Sequence, residues 1–324
     1  WTKTKRVFDR LPSKAEGVVR DPVWNHSRDS AGMSIRFLSD SSKIYVRYKL
    51  LRKKLSMEHM PATAYSGLDL YARDENGLDQ WVAVLKPNKQ IISKCISCSF
   101  GPLAQGSRTY TLYLPLRNGV NSLEIGIEKG KLFNALPSRV QKPIVFYGTS
   151  IIHGASASRP GMAFPSILGR RLKCPIINLG FAGNGRMEIE VASLLAELDP
   201  CIFVIDCLPN MNEETISERA VPLVKKIRES HIKTPILLVE DRSFTNAKFF
   251  PSKQKHHEKS REALKKAYMQ LEDSGIKYIF YLKGDDILGD DGEGATDGSH
   301  PNDLGMVRYA NAYEPVLRSI LNQL

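Results

Sequence analysis

Polar and flexible residues follow short apolar runs at several places in the second half of the chain. Ser150, the glycine-containing segment 178–185 and Asn210 each come shortly after such a run, and Asp297 precedes His300 by three positions. A serine on a tight strand-to-helix turn can be an exposed nucleophile surrounded by backbone N–H groups. A carboxylate three residues before a histidine can orient the imidazole and leave its other ring nitrogen free as a base. These residue types indicate nucleophilic catalysis.

Each of these features also has an ordinary structural explanation. The segment Gly148-Thr-Ser150 suits a turn and helix cap, and the glycines of segment 178–185 suit a flexible turn. A D-x-x-H pair is common by chance. His153 and Arg159 either line a substrate pocket or lie on a surface loop, and Glu240 either faces the same pocket or caps a helix. The ordered set of features is much rarer than its parts.

The apolar runs predict the elements that must position these residues. From Pro143 onwards, short continuous apolar runs alternate with longer amphipathic segments, and the runs begin at Ile144, Ile176, Ile202, Ile236 and Tyr278. Continuous apolar strands that alternate with helices are typical of a parallel sheet covered on both faces. In such a sheet the functional groups gather beyond the carboxyl ends of the strands. The sequence therefore predicts an α/β fold with the candidate residues at one edge.

The earlier part of the chain has a different pattern. Up to about Phe133, segments alternate apolar and polar residues, as antiparallel strands do when one face is buried. Candidate strands include Met33–Leu38, Lys43–Tyr48, Gln80–Leu85, Thr109–Leu114 and Asn121–Ile127. With turn signals between them, these strands favour an antiparallel β-sandwich of jelly-roll type.

The change of pattern predicts two domains, a first half (residues 1–138) and a second half (residues 139–324). The stretch 135–142 is short and polar, so it predicts a linker that allows the halves little independent movement. We expect the second half to carry all the groups that the chemistry needs. We expect the first half to supply contacts that select the substrate.

Composition and charge narrow the class of protein. The chain has 324 residues, of which 42% are hydrophobic and 25% charged, an ordinary balance for a globular protein. No apolar stretch approaches the roughly 20 residues that a membrane-spanning helix needs, so no membrane partner is expected. The formal charge is +11, but the basic residues are dispersed, which favours a solvated surface over a nucleic-acid interface.

The five cysteines do not indicate a disulfide framework, because their number is odd and their spacing uneven. Cys95 and Cys98 form a C-x-x-C pair within an alternating segment that predicts a strand. No second C-x-x-C and no C-x-x-H accompanies the pair, so no zinc site is expected. We therefore expect free thiols.

The motifs, taken in order, resemble those of the SGNH (GDSL-like) hydrolase superfamily. The matching segments are Gly148-Thr-Ser-Ile151, Asn178-Leu-Gly-Phe-Ala-Gly183, Pro209-Asn210 and Asp297-Gly-Ser-His300. Gly67-Leu-Asp-Leu-Tyr71 is similar to the G-x-D-L-Y signature of a two-domain subgroup. The resemblance covers nearly the whole chain and implies a β-sandwich followed by a flavodoxin-like, three-layer α/β/α hydrolase domain. Thr149 and Met211 depart from the family pattern, which usually has aspartate at both positions.

The resemblance also implies roles for individual residues. Ser150 would attack an ester carbonyl, with His300 as the base and Asp297 as the group that orients it. The oxyanion would accept hydrogen bonds from the backbone N–H groups of Ser150 and Gly183 and from the side-chain amide of Asn210. This chemistry requires no metal and no organic cofactor.

The same resemblance suggests a substrate class. A β-sandwich ahead of the hydrolase domain is similar to carbohydrate esterases that remove acetyl groups, so a small-molecule or polysaccharide ester is the expected partner. His153, Arg159 and Glu240 are then candidate substrate-binding residues. A lipid or aryl-ester acylhydrolase and a catalytically degenerate glycan-binding protein are the alternatives. By analogy with the subgroup, a secreted or periplasmic location is expected.

Overall fold

Residues 34–135 form two antiparallel sheets around a shared core in the computed structural model, which describes residues 1, 3–285 and 287–324. The strands are β1 (Ser34–Ser39), β2 (Ile44–Leu50), β3 (Leu68–Arg73), β4 (Asp79–Leu85), β5 (Ile91–Cys95), β6 (Arg108–Tyr113), β7 (Val120–Ile127) and β8 (Phe133–Ala135). One sheet has the order β4-β3-β6-β1-β8 and the other β5-β2-β7. The predicted β-sandwich is confirmed.

Strand β2 shows why this part of the chain folds as a sandwich. Every second residue from Ile44 to Leu50 is buried, and the residues between them are exposed. The buried row packs with Leu70 of β3 and Leu112 of β6, which belong to the other sheet. A period of two thus places one apolar row in the common core. All five strands predicted from this pattern are present, with ends within two residues of those predicted.

The second half contains a five-stranded parallel sheet. Its strands are β9 (Ile144–Gly148), β10 (Ile176–Gly180), β11 (Ile202–Asp206), β12 (Ile236–Val239) and β13 (Ile279–Leu282). They are arranged in the order β10-β9-β11-β12-β13, which is the 2-1-3-4-5 order of flavodoxin-like folds. The predicted α/β architecture is confirmed, and the predicted apolar runs coincide with its strands.

Helices cover both faces of the parallel sheet. The helices of the chain are α1 (Asp21–Ser27), α2 (Ala62–Tyr65), α3 (Ser150–His153), α4 (Phe164–Arg171), α5 (Ile189–Leu195), α6 (Glu213–Arg228), α7 (Pro251–Asp273) and α8 (Asp303–Leu321). Val145 and Tyr147 of β9 enter a core with α5, α6 and α7, whereas Ile144 and Phe146 enter a core with α4 and α8. The layers are therefore α/β/α. None of the described helices is both long and apolar enough to span a bilayer.

The N-terminal segment, residues 3–31, packs on the parallel sheet although it precedes the β-sandwich in the chain. Leu11, Val23 and Trp24 are buried in the same core as α5, α6 and α7. Met60 and Leu116, also from the first half, are buried in the core on the opposite face. The first half therefore completes the hydrophobic core on both faces of the sheet that carries the candidate site.

The buried guanidinium of Arg10 links the N-terminal segment to the edge strand β10. Its Nη1 donates hydrogen bonds to the backbone carbonyls of Asn178 and Gly180, each at 2.9 Å. Its other nitrogens donate to the carbonyls of His26 at 2.6 Å and Asp29 at 2.8 Å. Burial lowers the pKa of Arg10 to about 10, so the side chain keeps its charge at neutral pH. Because a buried charge needs partners, these carbonyls fix the segment against the strand.

The expectation of free thiols is wrong for one pair of cysteines. Cys95, at the end of β5, forms a disulfide with Cys98, and their Cα atoms are 5.5 Å apart. The alternation that predicts a strand as far as Cys98 ends at Cys95, where the chain turns and brings the two side chains together. Cys174, Cys201 and Cys207 are free.

We expect Leu11→Ala to destabilise the whole fold, because Leu11 is fully buried beneath the parallel sheet. Such a substitution typically lowers the free energy of unfolding by about 2–5 kcal/mol. Val7→Ala, at a position 80% exposed in the same segment, should change it by less than about 0.5 kcal/mol. Urea unfolding followed by circular dichroism measures both. Similar small effects would mean that the segment is not part of the core.

Candidate active site

Ser150 is the first residue of α3 and follows strand β9 through a tight turn. Thr149 caps the helix, because its side-chain oxygen accepts a hydrogen bond from the Ile151 N–H at 3.3 Å. Gly148 has no room for a side chain, since a Cβ there would overlap the backbone carbonyl of Asp206. The turn therefore presents the Ser150 hydroxyl at the carboxyl edge of the sheet.

Three side chains form a continuous hydrogen-bonded row at this edge. Ser150 Oγ lies 2.9 Å from His300 Nε2, and His300 Nδ1 lies 2.7 Å from Asp297 Oδ2. The second carboxylate oxygen of Asp297 accepts hydrogen bonds from the backbone N–H groups of His300 at 2.8 Å and Ser299 at 3.0 Å. The structure thus brings together the serine, histidine and aspartate that the sequence analysis singled out.

Asp297 is held in its ionised form. Burial opposes ionisation, but hydrogen bonds from the backbone and ring of His300 and from the backbone of Ser299 outweigh it and lower the pKa of Asp297 to about 2. A carboxylate beside Nδ1 favours the tautomer with its hydrogen on that nitrogen. Nε2 is then free to accept a proton from the Ser150 hydroxyl.

Groups suited to bind an oxyanion come from the ends of three adjacent strands. Ser150 begins a helix, so its N–H has no acceptor within that helix. Gly183 follows β10 with a φ of 70°, a backbone conformation that favours glycine. Asn210 lies in a 3₁₀ turn after β11, and its Oδ1 accepts a hydrogen bond from the Gly185 N–H at 3.3 Å. This contact uses only Oδ1, so the Asn210 Nδ2 can donate a hydrogen bond to an oxyanion.

A buried arginine supports the segment that carries Asp297 and His300. Arg242 follows β12, is almost completely buried, and donates to the hydroxyl of Ser299 and, at 3.1 Å, to its carbonyl. It also pairs with Asp241, whose other oxygen lies 3.0 Å from His257 Nδ1. Because Ser299 adjoins His300, this network holds the histidine in place. No sequence motif indicated this role of Arg242.

The loop after α3 is fixed from two sides. Ser158 donates to Asp303 of α8 through its N–H at 2.9 Å and its hydroxyl at 2.5 Å. Thr63 of α2, in the first half, donates to the Ser158 carbonyl at 2.6 Å. Asp303 follows His300 by three residues, so the loop after Ser150 and the segment of His300 are directly connected.

The G-x-D-L-Y segment docks onto the same loop. Asp69 is fully buried and accepts hydrogen bonds from the Gly161 N–H at 2.8 Å, from Arg159 at 3.0 Å and from the Trp81 indole at 3.0 Å. The Arg159 guanidinium lies 5.4 Å from the ring centroid of Tyr71 and 5.3 Å from that of Trp81. Arg159, predicted to bind substrate, is therefore used to join the two halves.

Two other predicted substrate-binding residues, His153 and Glu240, have buried side chains. His153 is fully buried, and its two ring nitrogens face Arg10 and Arg117. Glu240 is buried and accepts a hydrogen bond from the Tyr281 hydroxyl at 2.7 Å. A position after a strand end places a residue near the carboxyl edge, but it does not decide whether the side chain faces solvent or the interior.

His59, from the first half, contacts the row of three side chains. Its imidazole stacks on that of His300, with ring centroids 5.2 Å apart and planes inclined by 18°. No sequence pattern indicated His59, because it lies in a segment without helix or strand periodicity. The candidate site thus receives a side chain from each half of the chain.

One cluster of metal-ligating side chains occurs among the described residues, and it consists of His26, Asp29 and His153. Arg10 and Arg117 both contact His153. Their positive charges oppose binding of a cation at this place. The cluster is better explained as a buried hydrogen-bond network that joins the N-terminal segment to α3.

Family comparisons match both halves of the chain. Residues 141–318 match the model of the GDSL-like lipase/acylhydrolase family. Residues 1–133 match the GxDLY family, described as the N-terminus of SGNH-hydrolase-type esterases. Among curated proteins, no significant match was found.

Solved structures share the arrangement of nearly the whole chain. A protein from Bacteroides ovatus described as a GDSL-like lipase is 33% identical, with a TM-score of 0.92 over 97% of this chain and 92% of that one. The salicylyl-acyltransferase SsfX3 of a tetracycline biosynthetic pathway is 20% identical, with a TM-score of 0.76 over 96% and 89%. A family two carbohydrate esterase from Clostridium thermocellum is 13% identical, with a TM-score of 0.64 over 91% and 94%. The last two are similar in fold.

We expect Arg242→Lys to lower kcat for ester hydrolysis by about 10- to 100-fold, because lysine keeps the charge beside Asp241 but lacks the planar fork that holds Ser299. KM should change little. Arg47→Lys, at an exposed position of β2, is the matched control. Circular dichroism verifies that the variants are folded at the assay temperature. An unchanged kcat would mean that His300 keeps its position without this support.

Proposed function

Because the chain belongs to the GDSL-like lipase/acylhydrolase family and is therefore an ester hydrolase, we propose that it is a serine esterase that removes acetyl groups from a carbohydrate ester. One observation carries this proposal: the unbroken row from Ser150 through His300 to Asp297, with separations of 2.9 and 2.7 Å. A hydroxyl, an imidazole and a carboxylate stand here in the order that nucleophilic acyl transfer requires.

The reaction begins when Ser150 Oγ attacks the carbonyl carbon of the ester. The hydroxyl proton passes to His300 Nε2, and the Asp297 carboxylate stabilises the imidazolium that forms. His300 then gives this proton to the leaving alkoxide as the C–O bond breaks, which produces the alcohol and an acyl-serine. Water attacks the acyl group while His300 takes one of its protons. As the bond from the acyl carbon to Ser150 Oγ breaks, His300 gives this proton to Oγ, which releases the acid and restores both residues.

The negative charge of each tetrahedral intermediate is stabilised by the N–H groups of Ser150 and Gly183 and by the Asn210 side-chain amide. A preorganised donor of this kind contributes about 3 kcal/mol to stabilisation of the transition state. The positions of these residues support the assignment, because each follows the carboxyl end of one of three adjacent parallel strands, β9, β10 and β11.

The solvent exposure of His300 and Asp297 supports a bulky, hydrophilic substrate. The side chains of His300 and Asp297 are 26% and 43% exposed, so an ester on a large alcohol can approach Nε2. The carbohydrate esterase from Clostridium thermocellum, which is similar in fold, was solved in complex with cellohexaose. We infer from both observations that the alcohol part of the substrate is a sugar or a polysaccharide.

The proposal predicts a strong preference for short acyl groups. On p-nitrophenyl esters from acetyl to dodecanoyl, kcat/KM should be highest for acetyl. Ser150→Ala should reduce it by a factor of roughly 10⁴ or more, whereas Ser217→Ala, exposed on α6, should behave as wild type.

Each alternative gives a different result in this assay. Preference for long chains would indicate a lipid acylhydrolase, and absence of turnover on every ester would indicate a catalytically degenerate binding protein. Turnover by Ser150→Ala at a rate near wild type would mean that another nucleophile is at work.

The low pKa of Asp297, about 2, predicts that this carboxylate stays ionised throughout an assay range of pH 4–9. Protonation of Asp297 therefore does not lower kcat/KM within this range. Asp297→Asn should lower kcat/KM on p-nitrophenyl acetate steeply at every pH from 4 to 9, because the imidazolium formed in the reaction loses its charged partner. A difference between the two enzymes that disappears towards pH 4 would mean that wild-type Asp297 is protonated there, and it would contradict the low pKa.

A further inference from the structure

The turn Met57–Met60 belongs to the first half but is anchored in the core of the second. Met57 and Met60 exchange two backbone hydrogen bonds of 3.0 Å. Met60 is buried in the core that contains α4 and α8, and Met57 packs against the same core. Because both ends of the turn are fixed, the fold determines where His59 lies.

His59 lies against the face of the His300 ring. The two rings are nearly parallel, at 18°, and their centroids are 5.2 Å apart. This distance exceeds the roughly 3.5–4 Å contact of two fully overlapping rings, so the rings are offset. Part of the His59 imidazole therefore extends beyond His300, and the residue is only partly buried.

Burial, more than the charged groups nearby, favours the neutral form of His59. Burial, followed by the neighbouring His300 and then Arg117, lowers the pKa of His59, while Asp297 and Glu58 act in the opposite direction. A neutral imidazole has one N–H donor and one nitrogen acceptor. It can therefore pair with a hydroxyl group, and it does not oppose the positive charge that His300 acquires during the reaction.

We propose that His59 is a specificity-determining residue that binds the alcohol part of the ester, a role that rests on the proposed carbohydrate-ester function. During acylation His300 Nε2 gives its proton to the leaving oxygen, so the alcohol must lie beside the His300 ring. His59 lies on that ring and offers a flat surface with polar nitrogens. A sugar has the matching groups, a ring face and hydroxyls next to the leaving oxygen.

Two esters with the same acyl group and different alcohols isolate this contact. Phenyl acetate and a methyl glucopyranoside with a single acetyl group both produce acetyl-Ser150, so their kcat/KM values differ only through acylation. The variants are His59→Ala and His59→Phe, the second of which keeps a flat ring on His300 but has no polar atom. Ser56→Ala, exposed in the same segment, is the control.

We expect both His59 variants to lose about tenfold more kcat/KM on the sugar acetate than on phenyl acetate, the loss typical of one substrate hydrogen bond. Ser56→Ala should match wild type on both esters. Equal losses on the two esters would overturn the proposal, because His59 would then act only through His300. Full activity of His59→Phe on the sugar acetate would also overturn it, since the polar nitrogens would not be needed.

The same two esters distinguish failure of the proposed function from failure of the role of His59, because wild-type enzyme tests the function and the variants test the residue. If it hydrolyses phenyl acetate but not the sugar acetate, with several positions of the acetyl group tested, the carbohydrate-ester function is wrong and the role of His59 is wrong with it. If it hydrolyses both and the variants lose activity equally, the function stands and only the assignment of His59 is wrong.

Discussion

The buried charge of Arg10 is the constraint on which the arrangement of the two halves depends. Its guanidinium needs acceptors, and these are the carbonyls of His26 and Asp29 on one side and of Asn178 and Gly180 on the other. Gly180 ends β10, and the loop that follows carries the proposed oxyanion donor Gly183. The interaction that holds the N-terminal segment on the sheet therefore also holds the start of this loop.

A second set of contacts connects the two halves of the chain near Ser150. Asp69 binds the loop after Ser150, and the same loop is bonded to Asp303 at the start of the helix that follows His300. The nucleophile and the base are thus positioned by one set of contacts, to which the first half contributes directly. The G-x-D-L-Y segment therefore has a structural role, because it positions the loop after Ser150, and this role does not require contact with substrate.

Local patterns predicted much of the fold and the central row of the site. Period-two alternation located most of the sandwich strands, and continuous apolar runs located the parallel strands. The position after a strand end indicated Ser150, and the D-x-x-H spacing indicated Asp297 and His300. The contributions of His59 and Arg242 were not predictable in this way. Each acts through a partner distant in sequence, and neither the period of its own segment nor its residue type indicates that partner. The Cys95–Cys98 disulfide was missed because it depends on the end of a strand.

The packing of the N-terminal segment has a consequence for biosynthesis. Arg10 is synthesised before its acceptors Asn178 and Gly180, which are added 168 and 170 residues later. At a typical rate of about 5–20 residues per second, the delay is roughly 10–30 s. During this time Leu11 and Trp24 have no native core to enter and are exposed to chaperones or to other nascent chains. Packing of the N-terminal segment therefore awaits synthesis of the parallel sheet, whereas the β-sandwich has a core made of its own residues.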